Sequence, residues 1–286
     1  SRALFDFENE ANFFKEKGLK AFIERQRKLE KQPLSPGPAF PLIKSLLSLN
    51  QYQTKSSEPL VEVIIVSNQH PDTGLRVMSS VQHHSLNITR AAFTGGGNTI
   101  PYLPAFQTDL FLTKSPEDAD KAVKMNVASA YMYKLPPNYE YNDEQLKIAF
   151  DGDAVLFSDE SEAIYKSKGL EAFVENEITK AKIPMMNGPF GKLLKTLHNI
   201  KTLAPDSMRI ALVTARNAPS HERALRTLRH WKVDVDEALF LGGMPKAEFL
   251  NVFQPQIFFD DQEQHLKNTA NFIPVAQVPC PLHLKK

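Results

Sequence analysis

The sequence has little of several residue types whose presence would indicate a protein class. Cys280 is the only cysteine among 286 residues, so an intramolecular disulfide framework and a cysteine-rich metal site are both excluded. We expect a reducing, cytoplasmic setting. No apolar run approaches the roughly 18 residues that a membrane-spanning helix needs, so no membrane partner is predicted.

An excess of charge of one sign is also lacking. The 34 basic and 33 acidic residues nearly cancel, and no long block of one sign occurs. A nucleic-acid partner is therefore not predicted. With 42% hydrophobic residues, the chain can fill roughly two domain cores. A small-molecule partner is favoured, and a homo-oligomer is left open.

The two halves of the chain resemble each other. Residues 3–46 align without a gap over residues 154–197, and residues 63–112 align over residues 210–259. Because this repeat is too long for a solenoid, it indicates two tandem copies of one globular fold. The predicted domains are residues 1–133 and residues 146–286.

Each half alternates short apolar runs with segments of helical spacing, which is typical of an α/β fold with a mainly parallel sheet. In the second half, a helix is predicted at residues 220–230. Since ligands of such sheets bind at the carboxyl ends of the strands, functional residues are expected just after each strand. The predicted strands are residues 146–150, 208–213, 238–241, 256–259 and 274–278.

The first of these strands is followed by Asp151-Gly152-Asp153. Asp151 could attack phosphorus and form an aspartyl-phosphate. Gly152 would let the backbone approach the phosphoryl oxygens. Asp153 could protonate the leaving alkoxide and later deprotonate the attacking water. Taken alone, this tripeptide is more often an ordinary turn or part of a Ca²⁺ loop.

Further polar residues follow the later strands. Thr214 can hold a phosphoryl oxygen, and the ammonium of Lys246 can neutralise phosphate charge in the transition state. Asp260-Asp261 ends another strand, and carboxylates without Cys or His companions favour Mg²⁺ over zinc. The predicted metal ligands are Asp151, Asp153, Asp260 and Asp261, and the sequence leaves open which of the last two binds directly.

Four short segments resemble the motifs of the haloacid-dehalogenase superfamily: Phe150-Asp151-Gly152-Asp153, Val213-Thr214-Ala215-Arg216, Pro245-Lys246 and Phe258-Phe259-Asp260-Asp261. An acid at Asp153 is typical of the phosphatases of that superfamily. Nearly the whole chain is also similar to the cytosolic 5'-nucleotidase I family. Residues 35–40, 149–160 (AFDGDAVLFSDE), 227–231, 236–241 and 258–262 carry this resemblance.

The resemblance implies Mg²⁺-dependent hydrolysis of nucleoside 5'-monophosphates, with AMP as the usual substrate and activation by a nucleotide such as ADP. It also implies tandem haloacid-dehalogenase-like (Rossmann-like) parallel sheets, the first copy degenerate. A small helical cap is expected at about residues 154–205. The phosphate-binding residues would be Gly152, Thr214, Ala215, Arg216 and Lys246.

The first copy lacks the catalytic set, because Arg2 lies over Asp153 and Thr99 lies over Lys246. It is hypothesised to bind the effector nucleotide or to contribute to the substrate site. The candidates are Asn68 and the glycine-rich turn with Gly96 and Asn98, whose N–H groups could bind an anion. A retained scaffold with an ordinary turn is the alternative.

Three further interpretations concern the second half. Phe190 could stack on a nucleobase, although simple packing is the more common role of such an aromatic. Arg216 could contact phosphate, or form a surface ion pair. The acidic run at residues 159–162 is interpreted as the solvated start of a helix.

Two other functions remain open at this point. A phosphatase for a sugar phosphate or another small phosphomonoester would use the same four motifs. A non-enzymatic nucleotide sensor is disfavoured, because a sensor needs no nucleophile together with an acid.

Overall fold

The computed structural model describes residues 1–53, 58–137, 139–140 and 145–279. The chain divides into two compact units, Ser1–Gln107 and Thr108–Lys286. Cys280 lies outside the described residues. Within the described part of the chain, no helix combines the length and the apolar composition that crossing a bilayer requires.

The described residues of the first unit form three α-helices and a pair of parallel strands. In the strand pair, Ile64 lies opposite Arg90. Its core is formed by side chains such as Leu42, Ile65 and Val77, which are almost fully buried. The elements are α1 (Glu8–Lys28), α2 (Phe40–Ser48), β1 (Ile64–Ser67), α3 (Gly74–His83) and β2 (Arg90–Phe93).

The described residues of the second unit form a seven-stranded sheet with six α-helices. The strand order is β3-β4-β9-β8-β5-β6-β7, and every neighbouring pair is parallel except β4 with β9. The elements are β3 (Leu110–Thr113), α4 (Pro116–Lys124), β4 (Ala128–Met132), β5 (Leu146–Phe150), α5 (Glu160–Thr179), α6 (Gly191–Leu203), β6 (Met208–Thr214), α7 (His221–Trp231), β7 (Glu237–Phe240), α8 (Lys246–Phe253), β8 (Ile257–Asp260), α9 (Glu263–Thr269) and β9 (Val275–Gln277).

The central strands explain why the apolar runs are continuous rather than alternating. All four residues of β8 are buried, and so are four of the five residues of β5. A parallel strand covered on both faces needs apolar side chains on both, and their burial is the main force that holds the layers together. The prediction of an α/β fold with a mainly parallel sheet is confirmed.

The compact units do not coincide with the predicted domains. Strands β3 and β4 lie within the predicted first domain, residues 1–133, but they belong to the sheet of the second unit. Tyr131 and Met132 pair there with Gln277 and Ala276 in antiparallel register. A sequence repeat shows which segments are alike, whereas strand pairing depends on contacts that the repeat does not specify.

Aligned positions of the two units share several local features. Helix α1 is kinked at Gly18 (φ 76°), and helix α5 is kinked at the aligned Gly169 (φ 83°). The pairing of β1 with β2 has the same register as the pairing of β6 with β7, where Ala211 lies opposite Glu237. The backbone conformation at both kinks favours glycine, because a side chain is rarely tolerated at such φ values.

Candidate active site

The motif residues of the second unit lie at one edge of its sheet. Asp151 directly follows β5, Thr214 ends β6 and Asp260 ends β8. These three strands are adjacent and parallel, in the order β8-β5-β6, so their carboxyl ends meet. Lys246 begins α8, which follows β7. The sheet topology thus brings together residues that are far apart in the sequence.

Lys246 connects two of the acidic residues. Its Nζ atom lies 2.8 Å from Oδ1 of Asp151 and 2.7 Å from Oδ2 of Asp260, and its side chain is only 2% exposed. Burial opposes the charged form, but the two carboxylates outweigh it and raise the pKa of Lys246 above its ordinary value. The lysine is therefore a fixed positive charge beside Asp151.

Asp151, Asp260 and Asp261 form the three-carboxylate cluster. Each offers one oxygen atom, and these atoms lie within 4.8 Å of one another. Burial, reinforced by the neighbouring carboxylates, raises the pKa of Asp261 to about 9 and that of Asp151 to about 7. Full ionisation of three crowded carboxylates beside one lysine is therefore disfavoured unless a cation neutralises the excess negative charge.

The donor chemistry of this cluster fits a hard divalent cation. All three groups offer carboxylate oxygen, which Mg²⁺ prefers. Oδ1 of Asp261 is buried and has no hydrogen-bond partner among the described residues, which is costly unless a ligand satisfies it. The cluster is therefore suited to hold Mg²⁺.

Asp260 is held by groups that the sequence did not reveal as part of the site. The Gln262 N–H donates to Oδ1 at 2.8 Å, and Nδ1 of His265 lies 3.1 Å from Oδ2. Burial alone would raise the pKa of Asp260, but Lys246 and His265 outweigh burial and lower it. His265 lies on α9, and only the placement of that helix brings it to the carboxylate.

Asp153 does not pair with Lys246. Its carboxylate accepts two hydrogen bonds of 2.7 Å from Nε and Nη2 of Arg216, whereas the three-carboxylate cluster consists of other residues. The structure therefore does not support the predicted role of the Asp153 side chain as a metal ligand. Its role as acid and base stays a prediction.

Arg216 differs from both sequence interpretations. It is 3% exposed, so it does not form a surface ion pair. Nη1 donates to Glu177 and to the carbonyl oxygen of Ser220, while Nη2 also contacts the Met185 sulfur. Because a guanidinium has five N–H groups and these contacts together with Asp153 engage all its nitrogens, the predicted phosphate contact is wrong for this conformation.

Thr214 and Gly152 lie against each other beside Asp151. Thr214 is almost fully buried, and its Oγ1 accepts the N–H of Arg216 at 3.3 Å, which leaves the hydroxyl hydrogen free to donate. A Cβ atom added to Gly152 would lie 3.3 Å from Thr214 Oγ1. Glycine therefore leaves room between its own backbone and the Thr214 side chain. Ala215 is exposed directly after Thr214.

The base-stacking interpretation of Phe190 is wrong. Its ring is fully buried, with its centroid 4.7 Å from that of Phe259 and 6.2 Å from that of Phe150. Both neighbours lie on central strands of the sheet. Phe190 directly precedes α6 and packs in the core against these two strands.

The acidic run before α5 is the start of a helix, but it is not solvated. Asp159 is 2% exposed and Glu162 is 7% exposed. The negative charge of Glu162 contributes to the raised pKa of Asp261, after burial and Asp151. Glu162 therefore belongs to the electrostatic surroundings of the cluster. The sequence interpretation missed this because an acidic helix start is usually exposed.

In the glycine-rich turn of the first unit, the N–H groups of two glycines already donate hydrogen bonds to backbone carbonyls. Gly96 N–H donates to the carbonyl of Asn68 at 2.6 Å, and Gly95 N–H donates to that of Gln69 at 2.9 Å. The Asn98 side chain accepts the N–H of Ile100. The expectation that this turn offers N–H groups to an anion is thus wrong at Gly95 and Gly96. A nucleotide site at Asn68, Gly96 and Asn98 stays a prediction.

A family model described as 5'-nucleotidase matches residues 1–285. The chain belongs to the 5'-nucleotidase family. This nucleotidase-family chain is 37% identical over 289 residues to human cytosolic 5'-nucleotidase 1B, which confirms the resemblance seen in the sequence. The alignment covers 96% of the chain and 47% of the human protein, so the chain spans about half the length of that relative.

Two solved structures have a weak likeness to the nucleotidase-family chain. A Pnkp1/Rnl/Hen1 complex matches with a TM-score of 0.36 and 12% identity, covering 81% of this chain and 84% of the other. Histidinol dehydrogenase from Elizabethkingia anophelis matches with a TM-score of 0.24 and 10% identity, covering 96% and 76%. Neither likeness carries a functional argument.

Proposed function

We propose that this protein is a Mg²⁺-dependent 5'-nucleotidase that hydrolyses nucleoside 5'-monophosphates, AMP foremost, to a nucleoside and phosphate. The observation that carries the proposal is the meeting of Asp151, Asp260 and Asp261 with Lys246 at one sheet edge, in a chain of the 5'-nucleotidase family. Such an arrangement combines a nucleophile with the positive charge that phosphoryl transfer needs.

Asp151 is the proposed nucleophile. Its carboxylate oxygen forms a bond to phosphorus while the bond from phosphorus to the 5'-oxygen breaks, which leaves an aspartyl-phosphate. Water then attacks phosphorus, releases phosphate and regenerates the carboxylate. The ammonium of Lys246, 2.8 Å from Asp151, neutralises charge that develops on the phosphoryl oxygens. The Thr214 hydroxyl and the backbone at Gly152 and Ala215 bind those oxygens.

Asp151, Asp260 and Asp261 are the residues that would hold Mg²⁺. When bound, the cation withdraws charge from the phosphoryl group and lowers the barrier to its transfer. The pairing of Asp260 with Lys246, Gln262 and His265 fixes the orientation of its carboxylate before any ligand arrives, as the outer contacts of metal ligands do.

Asp153 is the proposed acid and base. It gives a proton to the leaving 5'-oxygen in the first step and takes a proton from the attacking water in the second. Its side chain is 17% exposed, so it can exchange protons with solvent between the steps. Asp153 must turn from Arg216 toward the leaving oxygen to do so.

We further propose that the chain contains two copies of a haloacid-dehalogenase-like fold, the first degenerate. The aligned kinks at Gly18 and Gly169 and the common register of the two strand pairs support the duplication. Helix α5 forms the cap. Action in the cytoplasm, activation by a nucleotide such as ADP and a homo-oligomeric assembly belong to the same proposal.

Phosphate release from AMP, IMP, dCMP and a hexose phosphate tests the substrate class. With Mg²⁺ present, we expect the highest kcat/KM for a nucleoside monophosphate. A preference for the hexose phosphate would instead identify a sugar phosphatase. Nucleotide binding without turnover of any of the four would identify a sensor. Either result would refute the proposed activity.

A further inference from the structure

A network of buried charged side chains lies behind Asp153. Arg216 lies between two carboxylates: Asp153 binds one edge of the guanidinium, and Glu177 of α5 binds another. The side chain of Arg216 is 1% exposed and that of Glu177 is fully buried. Arg216 therefore links the proposed acid, Asp153, to a buried carboxylate, Glu177.

Glu177 is shared between two arginines. Its Oε1 accepts hydrogen bonds of 3.0 Å from Arg223 Nη1 and 2.8 Å from Ser161 Oγ, while its Oε2 pairs with Arg216. Burial alone would raise the pKa of Glu177, but Arg216 and the other donors outweigh burial and lower it. The group is therefore an anion at neutral pH.

The aligned network of the first unit uses different charges. Gln26 lies at the position of Glu177, and its amide oxygen accepts a 3.0 Å hydrogen bond from Arg76 Nη1. Arg76 aligns with Arg223 and takes its counter-charge from Glu10 at 2.9 Å. The scaffold therefore packs an arginine at this position without an acid at residue 26.

Glu177 occurs in the same copy as Arg216 and Asp153, and its counterpart in the other copy is not an acid. In the first unit Gln69 replaces Arg216, Arg2 replaces Asp153 and Gln26 replaces Glu177, whereas the arginine at 76 and 223 is retained. Three aligned positions thus differ between the copies, while the arginine at 76 and 223 is the same in both. This pattern indicates that the charge of Glu177 serves Arg216 and Asp153 rather than the scaffold.

We propose, on the basis of the proposed function, that Glu177 is a positioning residue for Asp153. It anchors Arg216 in place and neutralises the guanidinium charge. Asp153 can then leave Arg216 for the substrate without leaving an uncompensated buried cation behind. Without Glu177, Arg216 would have Asp153 as its only carboxylate partner and would retain it, because a buried charge that loses its last partner is strongly disfavoured.

The test compares two substrates that differ in their need for an acid. Nucleoside 5'-monophosphates have an alkoxide leaving group that must be protonated, whereas p-nitrophenyl phosphate releases a stable phenolate. For Glu177→Gln we expect the single-turnover rate of leaving-group release, which precedes the water attack common to both substrates, to fall by about 10-fold or more for AMP. The same rate should stay within about 3-fold for p-nitrophenyl phosphate, with KM for AMP within about 2-fold. Equal loss on both substrates would overturn the inference. An inactive wild-type protein would refute the proposed function instead.

A second variant separates positioning from folding. Ser161→Glu combined with Glu177→Gln reproduces the Glu10 and Gln26 arrangement, which already occurs in this chain, and returns a counter-charge to Arg223. We expect the Tm to recover from any loss in the single variant while kcat for AMP stays low. Recovery of AMP turnover together with the Tm would show that Glu177 is only structural and would overturn the inference.

Two further variants complete the test. Glu160→Gln removes the other carboxylate on Arg223, which does not contact Arg216, so kcat for AMP should stay within about 2-fold of the wild type. In an Asp153→Asn background, adding Glu177→Gln should reduce kcat for AMP no further, because the two residues act in one chain of contacts. A further independent loss in that background would overturn the inference.

Discussion

Aligned positions of the two units carry two different networks of buried polar side chains. In the first unit, Arg76 binds Glu10 and Gln26, which neutralises one buried cation. In the second, Arg223 and Arg216 share Glu177, and the additional arginine holds Asp153. The comparison teaches that the same buried arginine occurs at both aligned positions, whereas a second arginine with its own acid occurs only beside Asp153, where our proposal gives it a role in catalysis.

The residues that follow the strands also differ in charge between the two aligned copies. Thr99 aligns with Lys246, and Lys114 aligns with Asp261. The ammonium of Lys114 donates to the carbonyl oxygen of Met132 at 2.8 Å. The first copy thus has a positively charged side chain where the second has a predicted metal ligand. Cation binding and phosphoryl transfer are therefore expected in the second of the two aligned copies and not in the first, and three experiments test this difference.

The largest effect is expected from Asp151→Asn. An amide cannot form the aspartyl-phosphate, so phosphate release from AMP should fall on the order of 10³-fold or more. The matched control is Asp72→Asn in the first unit, which removes a surface carboxylate paired with Arg27 and should change kcat by less than about 2-fold. Circular dichroism checks that both variants fold. Full turnover by Asp151→Asn would show that the contrast between the units is not catalytic.

An intermediate effect is expected from Mg²⁺ and pH on stability. Without a cation, folding raises the pKa of Asp151 to about 7 and that of Asp261 to about 9, from the ordinary 3.8 of an aspartyl carboxyl. The folded protein then binds more protons than the unfolded chain, so stability is lost as pH rises through these values. Mg²⁺ competes with those protons, and its stabilising effect should therefore grow from pH 6 to pH 9.

Thermal unfolding with Mg²⁺ or with a chelator measures this effect. The increase in Tm on adding Mg²⁺ should be several degrees larger at about pH 9 than at about pH 6. In Asp261→Asn, whose amide does not titrate, most of this pH dependence should disappear. If two transitions are resolved, only that of the second unit should respond. An increase that is the same at both pH values would argue against a cation site in the three-carboxylate cluster.

The smallest effect is expected at the two helix kinks. Neither Gly18 nor Gly169 has an atom within 4 Å of an added Cβ, so alanine would cost only backbone strain, about 1–3 kcal/mol at each site. Both variants should lower the Tm by a similar amount. Only Gly169→Ala should also lower kcat for AMP, because α5 carries Glu177 beyond its kink. Equal effects of both variants on kcat would remove this distinction between the helices.

Much of the fold could be predicted from local pattern. The strand predicted at residues 146–150 is β5 without change, and the helix predicted at residues 220–230 is α7 shifted by one residue. The strand predicted at residues 256–259 is observed as Ile257–Asp260. Apolar periodicity ends at the last apolar residue, whereas backbone pairing continues to the buried carboxylate of Asp260. The local signal is therefore reliable for the existence of an element and less so for its ends.

The candidate site was predictable only in part. Asp151, Lys246 and Asp260 were found because each follows a strand in a parallel sheet, and that topology alone makes them converge. Arg216 was misinterpreted because its exposure depends on Glu177, which is 39 residues away along the chain. Phe190 was misinterpreted because a loop aromatic shows no local sign of which surface will cover it.

The sequence by itself determined the order of helices and strands, the repeat and the residues that reach the strand ends, because all of these depend on short-range pattern or on the direction of a parallel strand. Only the tertiary structure decided that β3 and β4 join the sheet of the second unit and that Asp153 binds Arg216. It also decided that Glu177 and His265 support the proposed site. These outcomes depend on which distant groups become buried together, and burial is a property of the packed chain rather than of any segment of it.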